Sequence, residues 1–322
     1  MEEARCPVCS GTRTTFFRKT SDRFSSDPSN NYTLQRCLEC EMIYLSPRPS
    51  EKESVLFYRD ERYLPFTSFG EKRSLTGAVY RFVRRMNLRW KRGLVDGYWR
   101  GGKAASPGRL LDVGCGTGEF LATMRKAGWE VEGIERDPEA SAWVRKNWGI
   151  PVHEGDVRDF PPSRGPYDVI TLWHVIEHIY DPAPVLRKLR TLLNSRGFLL
   201  VATPNVAGCD SAFYKEQWIA LDVPRHVNHF SGRSLKDLVE REGFASNACR
   251  QLPIDAWFNT VMSEQLVAGR SRLGLMLFPF RLVRAAIISI VSLVGGSRLF
   301  SARYGATVVC SFRLKAEKSP GG

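Results

Sequence analysis

The chain has 322 residues, of which 43% are hydrophobic, so it is long enough to bury a large core and to carry an accessory module. Lysine and arginine number 47 against 34 acidic residues, which gives a formal net charge of +13. This composition excludes a largely disordered chain and favours an anionic partner, which could be nucleic acid, a phosphorylated metabolite or an acidic membrane surface. Charge alone does not choose among the three.

The N-terminal segment MEEARCPVCS lacks the basic and then apolar pattern of a secretory signal peptide. We therefore expect a cytoplasmic protein, with peripheral contact on the inner face of the membrane as an option that the charge leaves open.

Two Cys-x-x-Cys pairs, Cys6/Cys9 and Cys37/Cys40, occupy the first part of the chain. Four thiolates in this arrangement suit tetrahedral zinc and leave no open position for chemistry, so we predict a structural zinc ribbon over residues 1–49. The loop SSDPSNN is expected to project between the pairs. The other cysteines are scattered and are interpreted as small buried thiols: Cys115, Cys209, Cys249 and Cys310.

Residues 50–105 are predicted to form a helical cap and linker. Ser50 can cap a helix, with Glu53 at the capping-box position. Farther on, apolar residues recur at helical spacing in AVYRFVRRMNLRWKRGLV, and arginines fill much of the rest. These arginines form either a solvated face or an electrostatic guide for an anionic substrate. The segment GGKAASPG is expected to be a hinge.

From Arg109 onward, apolar strand-like segments alternate with helical ones. The strand segments read RLLDV, EVEGIER, PVHEGDV, YDVITLWHV, GFLLVATPN, ASNACRQLP and ATVVCSFRL. Apolar strands that alternate with helices imply crossovers between parallel strands. The pattern therefore predicts an α/β domain over residues 106–322, with a doubly wound, seven-stranded Rossmann-like sheet covered on both faces.

The glycine-rich segment DVGCGTG lies between the first strand and the first helix of this domain, where an open α/β sheet binds its ligand. Its glycines allow close backbone approach, and Glu135, at the tip of the next strand, can accept hydrogen bonds from a ribose diol. A nucleoside cofactor is therefore predicted. NAD is disfavoured because its fingerprint needs a glycine where this chain has Glu119, whose charge opposes a pyrophosphate at the helix N-terminus.

These motifs resemble those of class I S-adenosylmethionine (SAM)-dependent methyltransferases. The resemblance implies that the glycine loop borders the methionine and sulfonium part of SAM, that Glu135 binds the ribose, and that GDVRDF binds the adenine. The residues expected at the cofactor are Asp112, Gly114, Cys115, Gly116, Gly118, Glu135, Arg136, Asp156, Val157 and His174.

The order of a Cys-x-x-Cys module, the segment YLSPRPSE, an aromatic-rich helix and then this domain is similar to bacterial zinc-ribbon methyltransferases. The similarity covers nearly the whole chain. It implies a small-molecule acceptor, most often a sugar or polysaccharide-pathway intermediate, methylated on an oxygen or carbon atom. The positive charge of the chain favours an anionic acceptor.

The fourth strand ends in LWHVIEHIYDP, without the Asn-Pro-Pro-aromatic motif of adenine or glutamine nitrogen methylases. The stretch resembles small-molecule methyltransferases with a Glu-His pair, here Glu177 and His178. Quinone-type O-methylases place a metal-binding carboxylate where this chain has His174, so a catalytic divalent metal stays an alternative. His178 is the first candidate general base; the other reading is a buried histidine that fixes the loop.

The stretch RHVNHFSG, residues 225–232, holds two of the five histidines of the chain. It follows the fifth strand, where loops shape the acceptor pocket. We expect His226 and His229 to line that pocket, one of them assisting proton transfer, and Arg225 to bind substrate. Ser231 is expected to cap the next helix, and Phe230 to pack beneath it. The catalytic candidates are thus Glu177, His178, His226 and His229.

The segment LGLMLFPFRLVRAAIISIVSLVGG is the most apolar of the chain. Arginines interrupt it, which leaves an uncharged run too short for an ordinary membrane span. It belongs to a predicted helical insertion at about residues 254–303 between the last two strands. The insertion either folds over the substrate cleft or rests on acidic lipid through its apolar face and flanking arginines.

The preferred hypothesis is a SAM-dependent methyltransferase for a small molecule, with a structural zinc ribbon. A quinone-like phenolic O-methyltransferase at the membrane surface is the alternative enzyme, distinguished by a requirement for divalent metal. An RNA-binding protein or RNA methylase is the competing class. The sequence lacks the interleaved aromatic and basic residues of base-stacking platforms, so nucleic acid is disfavoured as a partner. A cofactor-binding protein without catalysis is a third class.

Overall fold

A computed structural model describes residues 1–25, 30–58, 75–101, 107–268, 278–295 and 305–316. Parts of several predicted segments lie outside the described residues. These are the tip of the projecting loop (26–29), a stretch of the cap (59–74), the hinge (102–106) and two stretches of the insertion (269–277 and 296–304).

Strands and helices alternate along most of the chain. The strands are β1 (Thr14–Ser21), β2 (Asn31–Cys37), β3 (Ile43–Leu45), β4 (Arg109–Val113), β5 (Glu130–Glu135), β6 (Val152–Glu154), β7 (Tyr167–Trp173), β8 (Leu193–Pro204), β9 (Asn228–His229), β10 (Phe244–Gln251) and β11 (Thr307–Leu314). The helices are α1 (Glu51–Ser54), α2 (Leu75–Gly101), α3 (Glu119–Lys126), α4 (Pro138–Trp148), α5 (Pro182–Leu192), α6 (Cys209–Tyr214), α7 (Gly232–Arg241), α8 (Pro253–Ala268) and α9 (Phe278–Gly295).

The larger sheet has seven strands in the order β10-β11-β8-β7-β4-β5-β6. The strands from β8 to β6 pair in parallel, while β11 pairs antiparallel with both β8 and β10. All seven correspond to the predicted strand segments, so the predicted doubly wound α/β domain is confirmed. The strand order reverses beside β4, which places the glycine loop at the point where such sheets bind ligands.

The smaller sheet contains the N-terminal cysteines and has the strand order β1-β2-β3-β9. Its fourth strand comes from the loop after β8, because Ile43 pairs with His229 and Tyr44 with Asn228. The boundary predicted at residue 49 did not anticipate this strand. The stretch RHVNHFSG therefore connects the two sheets. It starts in the larger domain, and its residues Asn228 and His229 form the edge strand of the smaller sheet.

The predicted insertion between the last two strands is a helical hairpin, α8 and α9, within its described part. The two helices pack against each other, and α9 also contacts α6.

Across the described ranges, the helices fall short of the length and apolar character that a membrane crossing requires.

Both predicted caps are confirmed. The Ser50 side chain accepts a hydrogen bond from the Glu53 backbone N–H, and the Glu53 carboxylate accepts one in return at 2.8 Å from the Ser50 backbone. The Ser231 hydroxyl accepts from the Ser234 backbone N–H at 3.1 Å and begins α7. Phe230 is fully buried, as expected.

One expectation about the cysteines was wrong. Cys249 and Cys310, interpreted as separate buried thiols, form a disulfide. They lie directly opposite each other on the antiparallel strands β10 and β11, with their Cα atoms 4.1 Å apart. The helical hairpin separates them by 61 residues, so their spacing in the sequence gave no sign of the pairing.

Candidate active site

The glycine loop after β4 is held in a conformation that only glycine adopts freely. Gly114, Gly116 and Gly118 have φ angles of 67°, 53° and 73°. A Cβ atom at Gly114 would lie 2.6 Å from a Val175 methyl group, and one at Gly118 would lie 2.8 Å from Val144. At Gly116 a Cβ would meet no atom within 4 Å, so this glycine faces open space. The loop is therefore packed on two sides and open on the third, as a ligand cradle needs to be.

Glu135, at the tip of β5, is fixed against this loop. One carboxylate oxygen accepts a hydrogen bond from the Gly116 backbone N–H at 2.7 Å, and the other accepts from the Asp137 N–H at 3.0 Å. Each oxygen of an ionised carboxylate can accept a second donor, so Glu135 can still bind a ribose diol. Cys115 lies inside the same loop, and burial raises the pKa of its thiol.

Asp112 lies at the base of the loop, in β4, and is only 3% exposed. Its carboxylate accepts a hydrogen bond from the Thr171 hydroxyl at 2.6 Å. Burial raises the pKa of Asp112 to about 7, although the Thr171 bond and the positive charge of Lys91 oppose the shift. A cation bound beside Asp112 would favour its ionised form.

Helix α2 places two basic residues beside the loop and the end of β7, and neither is among the cofactor or catalytic residues predicted from the sequence. Arg84 forms an ion pair with Glu119 and donates to the Thr117 hydroxyl at 3.5 Å. Lys91 places its ammonium group 4.5 Å from the centre of the Trp173 ring. The two basic residues are seven positions apart, which is two helical turns, so their spacing was the available signal.

The predicted adenine end carries an ionic cluster. The Asp156 carboxylate accepts from the Arg158 side chain at 2.8 Å and pairs with Arg136 at 3.1 Å. Both arginines also contact Glu51 of α1. Val157 is buried behind the cluster. Asp156 and Arg136, which follow β6 and β5, thus pair with each other.

Glu177 is the most unusual side chain of the site, because it is 1% exposed and none of the described residues gives either oxygen a hydrogen bond. His174 lies 3.4 Å away, an ion-pair contact that leaves this carboxylate unsatisfied. Burial opposes the charge of both groups, but ion pairing prevails. Asp255 of α8, 2.9 Å from His174, and then Glu177 raise the pKa of His174 to about 9, while His174 lowers the pKa of Glu177 to about 2.

His178 and His226 face this carboxylate, with ring centroids 4.6 Å apart. His178 Nδ1 lies 2.8 Å from the Tyr58 hydroxyl and 3.1 Å from the Arg225 carbonyl, and His226 Nδ1 lies 2.8 Å from the Ala220 carbonyl. With Nδ1–H donating to these carbonyls, the Nε2 lone pair of each ring would be free to accept a proton. Burial lowers the pKa of His226 to about 3, which keeps it neutral.

The structure thus brings together the loop after β7 and the loop after β8. Between them these loops hold all four catalytic candidates. The Val227 N–H donates to the Glu177 carbonyl at 3.0 Å, and the Asn228 amide donates to the Ile179 carbonyl at 2.7 Å. His229 lies at the far end of the group. It is 4% exposed, and its Nε2 lies 3.0 Å from the Leu221 carbonyl.

Arg225 does not have the role that the sequence suggested. Its side chain is 1% exposed and pairs with Asp22 at 2.7 Å and with Asp222 at 2.8 Å. Two carboxylates saturate the guanidinium, so it has no group left for a substrate. Because Asp22 follows β1, this ion pair instead fastens the ribbon to the loop that carries His226.

The four ribbon cysteines fit a zinc ion. Their sulfur atoms cluster within 4.8 Å of one another, with Cys6 and Cys40 at 3.4 Å and Cys9 and Cys37 at 3.5 Å. Tetrahedral ZnS4 geometry with Zn–S bonds of about 2.3 Å places sulfurs about 3.8 Å apart. A zinc ion would therefore need only a slight opening of the cluster.

A second group could hold a cation. Ligand atoms of Glu177, His178 and His226 also lie within 4.8 Å of one another. Two imidazoles whose Nδ1 atoms contact backbone carbonyls, together with an unsatisfied carboxylate, form a donor set that divalent metals accept.

Comparison with known proteins shows the family of the larger domain. A family model described as a methyltransferase domain matches residues 82–247, just over half of the chain. An uncharacterized 37.1 kDa protein in transposon TN4556 of Streptomyces fradiae is 29% identical over 182 residues, covering 52% of each chain. The ubiquinone biosynthesis O-methyltransferase of Xanthomonas campestris pv. campestris (strain B100) is 29% identical over 137 residues, covering 40% of this chain and 57% of that one. The chain thus spans about half the length of these curated relatives.

Among solved structures, a TehB-like SAM-dependent methyltransferase from Corynebacterium glutamicum is similar with a TM-score of 0.40 and 14% identity, covering 73% of this chain and 98% of that one. The family match includes the glycine loop, Glu135 and the Glu177–His178 pair. The chain therefore belongs to the methyltransferase-domain family.

Proposed function

We propose that this protein transfers the methyl group of SAM to an oxygen atom of an anionic small molecule, an intermediate of sugar, polysaccharide or lipid-linked biosynthesis. The proposal is carried by the imidazoles of His178 and His226 beside the buried Glu177, at the same sheet edge as the glycine loop. An oxygen acceptor loses a proton on methylation, and this group can receive it.

The roles of the individual residues follow from their contacts. SAM supplies a methyl group on a positively charged sulfur that is an excellent leaving group. Glu135 would bind the ribose while it holds Gly116, and Asp112 would face the positive charge. His178 would take the acceptor proton at Nε2, because its Nδ1 is held by the Arg225 carbonyl, and Glu177 would stabilise the resulting imidazolium.

Two further observations support an oxygen acceptor with negative charge. A relative is by name an O-methyltransferase and aligns over 137 residues. The chain also carries 13 more basic than acidic side chains, and Arg84 and Lys91 lie over the glycine loop. A basic protein surface attracts an anionic acceptor and raises its local concentration.

The first test is calorimetric titration of the zinc-loaded protein with SAM. Glu135→Gln replaces one acceptor oxygen with a donor that opposes the Gly116 N–H, so we expect SAM affinity to fall by about tenfold to a hundredfold. Glu139→Gln, the same substitution at an exposed carboxylate in the first turn of α4, is the matched control and should bind SAM normally. Equal SAM affinity for Glu135→Gln would contradict the cofactor assignment.

The second test uses labelled methyl transfer to a panel of nucleotide sugars, lipid-linked sugars and phenols. His178→Gln should lower kcat by about a hundredfold or more and leave the SAM dissociation constant unchanged. Full activity in this variant would remove His178 as the base.

A second candidate is a quinone-like phenolic O-methyltransferase that requires a divalent cation, favoured by the Glu177–His178–His226 donor set. His178 would then be a ligand instead of a base. Activity that EDTA abolishes and Mg²⁺ or Mn²⁺ restores, together with direct calorimetric Mn²⁺ binding that Glu177→Gln abolishes, would select this candidate. Activity unaffected by EDTA would exclude it.

A further inference from the structure

Helix α9 exposes a continuous apolar face. Five large apolar side chains on it are between 52% and 75% exposed: Phe280, Val283, Ile287, Ile290 and Val291. At 3.6 residues per turn these positions fall within an arc of about 100°. We call this arc the outer face of α9.

The opposite side of α9 is more polar than the outer face. Ser289 and Ser292 are buried there beside Ala285, with exposed fractions of 4%, 0% and 0%. The Ser289 hydroxyl bonds to Thr260 of α8 at 2.6 Å and to the Ala285 carbonyl at 2.7 Å. A water-exposed helix normally turns its serines outward and its isoleucines inward. Ile288 also faces inward and is 8% exposed, but the outer face carries more large apolar side chains than the inner one, which indicates that it meets an apolar environment in the working protein.

The charges of this region indicate which environment it is. From residue 265 to residue 316 the sequence has no acidic residue. The same stretch has eight basic ones: Arg270, Arg272, Arg281, Arg284, Arg298, Arg303, Arg313 and Lys315. Within the hairpin, Arg281 and Arg284 both pair with the single carboxylate of Glu264. An apolar helix face bounded by arginines is the pattern of helices that lie in the headgroup region of acidic bilayers.

We infer that the outer face of α9 rests on an anionic membrane surface, and that the methyl acceptor is attached to a lipid. A second copy of the chain is a poorer occupant, because a symmetric interface would bring two such acid-free, basic segments against each other. The second half of this inference rests on the proposed methyl transfer. The first half does not.

The hairpin that carries the outer face also reaches the cleft. Asp255, near the start of α8, contacts His174 at 2.9 Å, and His174 directly follows β7 beside Glu177. Trp257, two residues further along α8, is 45% exposed, and tryptophan is enriched at membrane–water interfaces. An acceptor headgroup could therefore enter the cleft while its apolar chain stays in the bilayer.

The test is flotation of the purified, zinc-loaded protein with vesicles. Vesicles of phosphatidylcholine mixed with phosphatidylglycerol should carry the protein upward, and vesicles of phosphatidylcholine alone should carry much less. The double variant Ile287→Ser/Ile290→Ser should lower the partition coefficient by about tenfold or more, since it removes two large apolar side chains from the outer face. Phe16→Ser is the matched control, because Phe16 on β1 is 64% exposed but lies outside the acid-free segment 265–316.

Each outcome decides a separate point. If the protein stays at the bottom of the gradient with acidic vesicles, the membrane inference is wrong. It is also wrong if sedimentation shows that the wild-type protein is a dimer and that the double variant is not. SAM affinity, measured on the same samples, shows whether the double variant is folded. If the wild-type protein does not bind SAM, the proposed function is wrong, and the flotation result is unaffected. For the acceptor, labelled methyl on a polyprenyl-linked sugar supports a lipid-linked substrate, and label only on the matching nucleotide sugar overturns it.

Discussion

Asp112 is a carboxylic acid in a position where its charge is unfavourable, so the proposed SAM binding should depend on pH. Its pKa of about 7 is caused by burial, while Lys91 from α2, Glu135 from β5 and Thr171 from β7 surround it and modify the shift. In the folded protein without SAM the proton stays on Asp112 up to about pH 7. The stabilisation from this protonated form is complete below the ordinary aspartate pKa and is lost as pH rises through 7.

We therefore predict that SAM binds about tenfold more weakly at pH 6 than at pH 8, since binding a cation beside Asp112 requires the proton to leave. Calorimetry over this range measures the effect. Asp112→Asn should flatten the profile. Thr171→Val removes the hydrogen bond that lowers the pKa, so it should move the midpoint upward. An affinity that is constant between pH 6 and pH 8 in the wild-type protein would refute the role of Asp112.

Among individual residues, the sequence predicted those whose amino-acid type is restricted by the local backbone geometry. The glycines need positive φ angles, and Glu135 ends a strand at a fixed distance from them, so both could be read from a short motif. Lys91 and Asp255 could not. They come from elements far away in the sequence, and only the packing of α2 and α8 over the sheet edge brings them to Asp112 and His174.

Among the elements, two arginines form ion pairs of contrasting burial that link the ribbon to the larger domain. Arg225 pairs with Asp22 and Asp222 with almost no exposure of either partner, whereas Arg233 of α7 pairs with Glu41 at 2.9 Å with side chains 73% and 64% exposed. Both pairs link the ribbon to the larger domain. They differ in what their loss would leave behind.

Arg225→Ala should lower the free energy of unfolding by about 3–5 kcal/mol, because it leaves two buried carboxylates without this partner. Arg233→Ala, the matched control, should lower it by less than about 1 kcal/mol, because water and salt screen the exposed pair. Urea unfolding of the two variants checks the contrast. Equal losses would show that the buried pair does not hold the ribbon in place.

The side of α9 that faces α8 could not be predicted from the amino-acid sequence of the helix itself. Its apolar and serine residues both recur at helical spacing, so the pattern predicted a helix without showing which side faces α8. The bond between Thr260 and Ser289 settles that choice, and it depends on the partner helix.

For the whole molecule, the ribbon and the methyltransferase domain share structure and should lose it together. One buried apolar cluster joins Cys6 and Cys37 to Ile176 and Phe230, which flank the catalytic candidates. β9 also pairs with β3 beside His229. A zinc ion that holds the ribbon would therefore also hold the loop with His226, at some distance from the glycine loop.

We predict that Cys37→Ser loses the zinc, about one ion per chain, and lowers the melting temperature in a single transition. Methyl transfer should fall by about tenfold or more while SAM affinity stays within about twofold, because the disturbed residues serve the acceptor. Metal analysis, calorimetry and labelled transfer measure the three quantities. Cys209→Ser, a free cysteine outside the cluster, should keep zinc and activity; a zinc-free Cys37→Ser with normal transfer would contradict the coupling.

The fold of the larger domain was predictable because seven apolar strands and their helices repeat in a regular order, and parallel pairing follows from the crossovers. The links between modules were not. The pairing of β3 with β9 and the disulfide of Cys249 with Cys310 each join residues that are distant in the sequence. Such contacts are chosen by the packed whole, and no short stretch of either partner encodes them.

The fourth strand of the ribbon also has a consequence for how the protein is made. His229 leaves the ribosome 186 residues after its partner Ile43. At a synthesis rate of about 5–20 residues per second, the edge of β3 stays uncovered for about 10–40 s. During that interval a nascent ribbon, even with zinc already bound, presents unpaired backbone groups that another nascent chain could pair with. Chains translated close together on one messenger would be the most exposed to this error. Slow or crowded translation should therefore reduce the yield of active protein even when the finished fold is unchanged.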